Sequence, residues 1–150
     1  MKSQNGWQAS QNPEAIDIQS FPVAGTKIKL RCERHAGVIL AAFAAEFHKL
    51  VEKIDEKSLD DWGYAYRNVR GSENDLSNHS SGTAIDLNST KHPLGKEGTY
   101  TKAQIKILDE LCTKYGIRGG YTYKHRKDDM HFEIVETKDQ VINRIAAMGL

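Results

Sequence analysis

The sequence predicts an α+β domain with a small, mostly antiparallel sheet flanked by helices. Its length of 150 residues lies in the usual range for one domain. Hydrophobic residues make up 39% and charged residues 27%, as is typical of a soluble globular protein. Stretches with two-residue and helical periodicity follow one another without a repeat or a low-complexity linker between them. We therefore expect residues 1–150 to form a single compact domain.

The first half of the chain predicts a lead-in, a strand, a long helix and a short strand. Residues 1–20 are polar and contain Gly6 and Pro13, which predicts an extended lead-in over the surface. Residues 23–32 alternate between apolar and basic side chains, as a half-buried strand does. Residues 36–55 repeat apolar side chains at helical spacing, and the aromatic run at 62–67 predicts a short strand.

The second half predicts three strands and two helices. A polar loop over 68–81 precedes a strand over 83–88, and a loop with prolines and glycines follows it. A helix is expected from about Thr101 to Tyr115, with Thr99 or Thr101 as its cap and Gly116 as its stop. Two strands over 117–123 and 131–135 and an amphipathic helix over 138–148 complete the domain. The loops gather around the middle strands, where we expect the functional site.

Charge and hydropathy exclude several classes of protein. The formal net charge of +1, with both signs interspersed, gives no footprint for nucleic acid. The longest apolar stretch, residues 38–47, is interrupted by Glu46 and is too short for membrane insertion. The amino terminus lacks the apolar core of a signal peptide, so export would need another route. Cys32 and Cys112 lack the spacing of a metal or redox pair, and we expect both to be small buried hydrophobes.

The first segment that carries chemistry is residues 77–86, with the sequence SNHSSGTAID. It places His79 in a loop and Asp86 in the strand that follows. Alternate strand residues share a face, so Asp86 faces away from the core if its neighbours Ile85 and Leu87 are buried. Gly82 allows a tight turn that could fold His79 back over the carboxylate.

The second segment is residues 128–134, with the sequence DDMHFEI. Alternation places His131 and Glu133 on the face opposite Phe132. Two histidines and one carboxylate form a ligand set for a catalytic zinc, whose fourth position holds water. Another carboxylate is then needed to move the proton of that water. Taken singly, each histidine could instead be a packed or surface residue, which is how we interpret the other four: His35, His48, His92 and His125.

Together the two segments resemble a family of zinc peptidases. This family includes D-alanyl-D-alanine carboxypeptidases, vancomycin-resistance D,D-dipeptidases and the L-alanyl-D-glutamate endopeptidases of phage endolysins. Its S-x-H-x-x-G-x-A-x-D pattern stands here at residues 77–86 without a departure, and its acid-x-x-H motif stands at residues 128–131. The surrounding sequence, including NGW at residues 5–7 and HPLG at residues 92–95, looks most like the peptidases of phages and prophages.

The resemblance implies a role for each site residue. It implies one zinc ion per chain held by His79, Asp86 and His131, with Asp128 as catalytic base. It also implies an upstream arginine that stabilises the substrate carbonyl, best matched by Arg67, with Arg70 as a weaker candidate. Glu133 either orients a ligand histidine, which we favour, or competes with Asp128 as base. Ser77 is expected to support the loop of His79 and could touch substrate.

Three functions remain open on the sequence. The first is an endopeptidase that cuts peptidoglycan stem peptides, between L-alanine and D-glutamate, acting as a monomer. Such a protein would be made in the host cytoplasm and reach the cell wall after release, through a holin or another route.

The second function is that of a D,D-carboxypeptidase or dipeptidase, which needs a closed pocket and a cationic anchor. Lys124, Arg126 and Lys127 could supply that anchor, although such a run is usually solvated. The third is a non-catalytic zinc-binding module on the same scaffold.

Overall fold

Three α-helices and two small antiparallel sheets make up the described part of the protein, which confirms the predicted α+β class. The computed structural model describes residues 1–57 and 59–150. The helices are α1 (Ala36–Leu50), α2 (Lys102–Tyr115) and α3 (Lys138–Met148). The strands are β1 (Ile18–Pro22), β2 (Lys29–Glu33), β3 (Ala84–Asp86), β4 (Ile117–Gly120) and β5 (Asp128–Ile134). Two short 3₁₀ helices cover Pro13–Ile16 and Asn78–Ser81. In this described part of the chain, no helix has the length and apolar character needed to cross a bilayer.

Helix α1 anchors the central strand of the larger sheet, whose order is β3-β5-β4. Phe43 and Phe47 of α1 are fully buried, as is Phe132 of β5. The ring of Phe132 lies 4.8 Å from that of Phe43 and 5.6 Å from that of Phe47, measured between centroids. Burying a phenylalanine side chain contributes about 1.5–3 kcal/mol, so these contacts fix which face of β5 points to the core. The neighbours of Phe132 in β5 are thereby directed to the opposite face.

Helix α1 ends at Leu50, not at the predicted residue 55. Ile54 is fully buried, as its apolar spacing suggested, but it lies in the turn after the helix. Its backbone N–H donates to Nδ1 of His48 at 3.2 Å instead of to a helical carbonyl. A side chain that accepts this donor offers the backbone an alternative to the helix, which apolar periodicity does not reveal.

The amino-terminal prediction was wrong in two respects. Residues 1–20 contain a 3₁₀ helix and β1 instead of a wholly extended lead-in, and Trp7 is buried. The strand predicted over 23–32 begins only at Lys29, because residues 23–28 form the turn that joins β1 to β2. Val23 donates to the carbonyl of Ile28 at 2.9 Å, and Gly25 has a φ of +80°. A glycine in this conformation closes a hairpin, so the alternating side chains of residues 23–28 belong to a turn and do not indicate a strand.

The other predicted strand boundaries differ from those in the structure, whereas the predicted boundaries of helices α2 and α3 agree with it. Residues 62–67 form no regular strand, although Trp62 makes an isolated bridge to Asp86. Strand β3 is shorter than predicted, since Asn88 turns the chain with a φ of +49°. Strand β4 ends at Gly120 instead of 123, and β5 covers 128–134 instead of 131–135. Helix α2, with Thr101 as its cap and Gly116 as its stop, and helix α3 lie as predicted. Cys32 and Cys112 are free and buried, as expected.

Candidate metal centre

Three buried side chains, those of His79, Asp86 and His131, converge at one edge of the β3-β5 pair. Asp86 ends β3, and the antiparallel register places it directly opposite His131 in β5. Facing residues of paired strands have their Cβ atoms about 4.5–5.5 Å apart, so the register alone brings these two together. His79 comes from the 3₁₀ helix that precedes β3.

The 3₁₀ helix of His79 is held at both ends by residues of its own segment. Ser77 caps the beginning, since its Oγ accepts the N–H of His79 at 3.2 Å. Gly82 caps the end with a φ of +70°. A Cβ atom at Gly82 would lie 2.5 Å from the backbone nitrogen of Glu33, which no side chain can tolerate. The motif therefore needs glycine at this position both for conformation and for close packing against β2.

The three ligand atoms form a nearly equilateral triangle. Nε2 of His79 lies 3.2 Å from Oδ1 of Asp86 and 3.2 Å from Nδ1 of His131. The third side, between Nδ1 of His131 and Oδ1 of Asp86, is 3.3 Å. Zinc binds such ligands at roughly 2.0–2.2 Å, so neighbouring ligands of a tetrahedral zinc lie roughly 3.3–3.5 Å apart. The triangle therefore fits one face of a zinc tetrahedron.

Hydrogen bonds on the far side of each imidazole direct the correct nitrogen toward this triangle. Nδ1 of His79 lies 2.8 Å from the carbonyl oxygen of Gly63. A carbonyl only accepts, so Nδ1 carries the proton and Nε2 presents its lone pair. Nε2 of His131 lies 2.6 Å from Oε1 of Glu133, which turns Nδ1 of this ring toward the triangle. Metal-bound histidines in proteins are commonly oriented by such carbonyl and carboxylate partners.

The electrostatics of the triangle favour a positive charge at its centre. Burial works to raise the pKa of Asp86, but the two histidines outweigh it and hold this pKa well below its usual range. Burial works to lower the pKa of His131, yet Asp86 and Glu133 raise it to about 10. The carboxylates of Asp86 and Glu133 thus stabilise a positive charge at a buried position. A divalent cation satisfies the same demand when it displaces the proton from the histidine.

Asp128 lies beside the triangle as a result of a register shift in β5. Gly119 of β4 pairs with Phe132, whereas the next residue, Gly120, pairs with Asp128. Such irregularities re-aim side chains and are common next to active sites. Asp128 lines the same cleft as His79 and His131. Burial raises its pKa, as does the charge of Asp86. Its Oδ1 is buried and, among the described residues, has no hydrogen-bond partner.

Glu133 differs from Asp128 because both of its oxygens are engaged. Oε1 accepts from the Tyr123 hydroxyl at 2.7 Å in addition to the His131 imidazole. Oε2 accepts from Nη2 of Arg118 at 2.6 Å. Burial opposes ionisation, but His131, Tyr123 and Arg118 lower the pKa of Glu133 to about 2. A carboxylate so fully occupied is suited to orient a ligand and is a poor acceptor for a further proton.

Both candidate arginines line the cleft, but they are held differently. The backbone of Arg67 is tied to the 3₁₀ helix of His79, because its carbonyl accepts from Ser80 Oγ at 2.8 Å and from Ser77 N at 3.0 Å. Arg67 is half-buried, and its charge works to lower the pKa of Asp128. Arg70 is exposed. The structure therefore places Arg67 close to both the ligand helix and the acid of the site.

The remaining predicted residues lie around the cleft or away from it. Arg126 lines the cleft, whereas Lys127 donates to the carbonyl of Tyr121 at 3.2 Å. Lys124 borders a separate surface depression. The other four histidines lie outside the triangle, as expected.

Three residues, Gly63, Arg118 and Tyr123, contact the candidate ligands or Glu133 in a way that the sequence did not predict. Gly63 was missed because its contact with His79 is made by its backbone, which gives no sequence signal. Arg118 lies opposite Glu133 in the β4-β5 register, so a correct register would have indicated it. Tyr123 follows β4 and reaches Glu133 only because the chain turns there.

A buried His-Asp-His triangle at a cleft, with a second carboxylate and a guanidinium beside it, is the arrangement of a mononuclear zinc hydrolase. Residues 70–134, a little under half of the chain, match the family model of the D-alanyl-D-alanine carboxypeptidases. The matched segment contains the whole triangle as well as Asp128 and Glu133, and it begins three residues after Arg67. The match supports a zinc-dependent peptidase that acts on peptidoglycan peptides. No curated protein and no solved structure matches the chain.

Proposed function

We propose that this protein is a zinc metallopeptidase that cuts bacterial peptidoglycan stem peptides between L-alanine and D-glutamate, as the lysins of phages and prophages do. The observation that carries the choice of an endopeptidase is a groove that continues beyond the metal site to both Arg126 and Trp62. As a lysin, the protein would be made in the host cytoplasm and act on the cell wall after release.

The two clefts overlap at the candidate metal site, because the same six residues line both: Arg67, Arg70, His79, Asp86, Ser89 and Met130. One cleft, of about 390 Å³, extends past Leu94 and Tyr123 to Arg126. The other, of about 520 Å³, extends past Ala65 to Trp62, whose side chain is 46% exposed. An endopeptidase must bind residues on both sides of the bond that it cuts. A groove that continues on both sides of the metal site supports that mode of binding.

The residues beside the metal divide the work of hydrolysis. A zinc ion held by His79, Asp86 and His131 would supply Lewis acidity and lower the pKa of a water toward about 7. Asp128 takes a proton from the attacking water and returns it to the nitrogen of the leaving amine. The guanidinium of Arg67 stabilises the negative charge that grows on the carbonyl oxygen. Glu133 holds the His131 ring with Nδ1 toward the metal position.

D-alanyl-D-alanine carboxypeptidase activity is the second candidate, and the description of the matching family favours it. A carboxypeptidase binds the terminal carboxylate of its substrate next to the bond that it cuts. Arg126 is the cation best placed for this role, since it lines the cleft while Lys124 borders another depression. The continuation of the groove toward Trp62 does not favour a closed pocket.

Digestion of purified peptidoglycan, followed by mass spectrometry of the released ends, separates the two activities. New amino-terminal D-glutamate is the result expected for the endopeptidase, and free D-alanine would establish the carboxypeptidase instead. Metal analysis of the same preparation should find about one zinc per chain, and His79→Ala and His131→Ala should lose it. A zinc-loaded protein that releases neither product would be a binding module and would contradict the proposal.

A further inference from the structure

The amino-terminal segment, residues 3–7, packs against the elements that carry the metal ligands. Ser3 and Trp7 are buried, and the segment turns on itself where Ser3 donates to the carbonyl of Trp7 at 3.0 Å. The backbone N–H of Gln4 donates to Leu76 at 3.1 Å, just before the 3₁₀ helix of His79. The indole N–H of Trp7 donates to the carbonyl of Glu136 at 2.9 Å, just after β5. The segment thus connects the start of the 3₁₀ helix of His79 with the end of β5.

Asn5 contacts all three segments that carry a ligand. Its backbone N–H donates to Oδ1 of Asn78, the neighbour of His79, at 2.9 Å. Its side-chain Nδ2 donates to Oγ1 of Thr83, the residue before β3, at 2.8 Å. The same nitrogen donates to the carbonyl of Ile134, the last residue of β5, at 2.9 Å. One residue therefore joins the helix of His79, the strand of Asp86 and the strand of His131.

Neighbouring contacts hold Asn5 in this position. Its Oδ1 accepts from Oγ of Ser3 at 2.8 Å, which fixes the orientation of the amide. Oγ of Ser3 also lies 2.7 Å from Oγ of Ser81, at the end of the 3₁₀ helix. Oγ of Ser81 in turn lies 2.8 Å from Oγ1 of Thr83. The contacts form a connected polar network behind the metal centre, where every member has a partner.

The ligand-bearing elements need such support because two of them are very short. The 3₁₀ helix has four residues and β3 has three. A single 3₁₀ turn has poor hydrogen-bond geometry, and so short a strand has few ladder bonds. A metal site nevertheless requires ligand distances within about 0.2 Å of their ideal values. Their relative positions must therefore be fixed by contacts from elsewhere in the chain.

We propose that Asn5 is a positioning residue for the metal centre and that it acts by holding the three ligand-bearing segments together. The inference rests on the proposed zinc site, although not on which peptide bond is cut. Asn5 is remote in sequence from every ligand and makes its contacts behind them. Its loss should widen the distribution of ligand distances and thereby weaken metal binding.

The test compares zinc affinity among three full-length variants by competition with a chromophoric chelator. Asn5→Ala removes both Nδ2 donations, and Asn5→Asp keeps the shape and the accepting Oδ1 while losing the same donor. Both should raise the Kd for zinc by about 10- to 100-fold, the effect of losing an outer contact of a metal site. Asn12→Ala is the matched control, because Asn12 caps the first 3₁₀ helix of the same terminal region. It should leave the Kd unchanged.

Hydrogen exchange of metal-free protein gives a second measurement that does not depend on activity. Amides of residues 78–86 should exchange faster in Asn5→Asp than in the parent protein, while those of helix α3 should be unchanged. If Asn5→Ala does not fold, Asn5→Asp carries the test.

Two outcomes would overturn the inference. A lower Tm with an unchanged zinc Kd would make Asn5 merely structural. Equal Kd and equal exchange in all variants would remove any role. If the parent protein binds zinc and digests peptidoglycan in either case, the proposed function stands and only this inference fails. A parent protein that binds no zinc would remove the proposed function itself.

Discussion

Asp128 and Glu133 are both carboxylates within the cleft, yet their surroundings prepare them for different work. Glu133 accepts hydrogen bonds on both oxygens, and its pKa is lowered to about 2. Asp128 has a raised pKa and a buried oxygen without a described partner, on the wall that faces the triangle. A general base needs a free lone pair and a pKa nearer the working pH. Asp128 meets both conditions.

Asp128→Asn should keep the fold and the zinc content while turnover falls by roughly 10²- to 10⁴-fold, the usual contribution of a general acid or base. Glu133→Gln should cost less, on the order of 10- to 100-fold, since a glutamine can still accept from His131. Zinc per chain and the rate of peptidoglycan cleavage are measured for each variant. A zinc-loaded Asp128→Asn protein with a near-normal rate, beside an inactive Glu133→Gln protein, would reverse the two roles.

Arg67 and Arg70 provide a second matched pair at the scale of single residues. Arg67 is fixed through its backbone to Ser77 and Ser80, whereas Arg70 is exposed. A cation that is partly shielded from water stabilises charge that grows in the transition state better than a fully solvated one does.

Arg67→Ala should therefore lower kcat by roughly 10²- to 10³-fold with zinc still bound, and Arg70→Ala should do less. Steady-state kinetics on a synthetic stem peptide give kcat and KM separately, and metal analysis confirms loading. The family match begins at Arg70 and leaves Arg67 outside, so the comparison is informative. A larger loss of kcat in Arg70→Ala would move the role to Arg70.

At the scale of elements, the sequence indicated the ligand set better than it indicated what holds the ligands. His79, Asp86 and His131 were predicted because the motifs at residues 77–86 and 128–131 are local patterns that resemble those of a zinc peptidase family, and strand alternation agrees with them. The shift that turns Asp128 into the cleft was not predicted, since strict alternation places Asp128 on the face of Phe132. That shift depends on how β4 pairs with β5, which is a property of two segments and not of one.

Gly63 shows the same limit most clearly. Its carbonyl orients His79, and a Cβ atom built on it would lie 2.1 Å from the carbonyl oxygen of Arg31. Nothing in the aromatic run around it predicts either contact, because both depend on β2 lying alongside. The residues before the motif are thus part of the site through their backbone.

Gly63→Ala should displace this segment and weaken zinc binding together with stability. Overpacking of this kind typically costs about 1–3 kcal/mol. Gly98→Ala is the control, since Gly98 has a φ of +67° but open space around its Cβ position. It should lower stability through backbone strain alone and leave the zinc Kd unchanged. Urea unfolding and chelator competition give both quantities. Parent-like zinc binding in Gly63→Ala would mean that the carbonyl of Gly63 does not orient His79.

At the scale of the whole molecule, residues distant in sequence converge on one site. Residues 3–7, 63–86 and 118–134 all contribute contacts to the metal centre, while α1 holds β5 from the core side. Helices α2 and α3 were predicted well because capping and periodicity are encoded locally, as Thr101 and Gly116 show. The role of the amino terminus was not predicted, because polar residues such as Asn5 look like those of a solvated tail until their hydrogen-bond partners are known.

Two neighbouring carboxylates outside the cleft, Asp60 and Asp61, make the stability of the fold depend on pH. Asp60 is 3% exposed, and its Oδ1 has no hydrogen-bond partner among the described residues. Asp61 accepts from the backbone of Asn88 at 2.8 Å. Burial raises the pKa of Asp61 to about 7, although the Asn88 N–H works to lower it, and the neighbouring Asp60 and Asp55 raise it further.

This raised pKa makes the folded protein less stable as the pH increases. Below about pH 4 Asp61 is protonated in both states and has no effect. Between about pH 4 and 7 the unfolded chain ionises while the folded chain holds its proton, so the free energy of unfolding falls. Above about pH 7 the whole penalty is present. Because Asp61 is only half-buried, solvent screening reduces this loss of unfolding free energy to the order of 1 kcal/mol.

Asp61→Asn should therefore stabilise the protein at pH 8 and have little effect at pH 4. An asparagine keeps the oxygen that accepts from Asn88, and its amide can donate to the unpartnered oxygen of Asp60. Urea unfolding at several pH values measures the difference from the parent protein. Asp75→Asn is the control, because Asp75 is an exposed carboxylate outside this pair, and it should not reproduce the gain in stability at pH 8. If Asp61→Asn lowered stability equally at both ends of the range, the carboxylate of Asp61 would be needed in its ionised form and the raised pKa would be wrong.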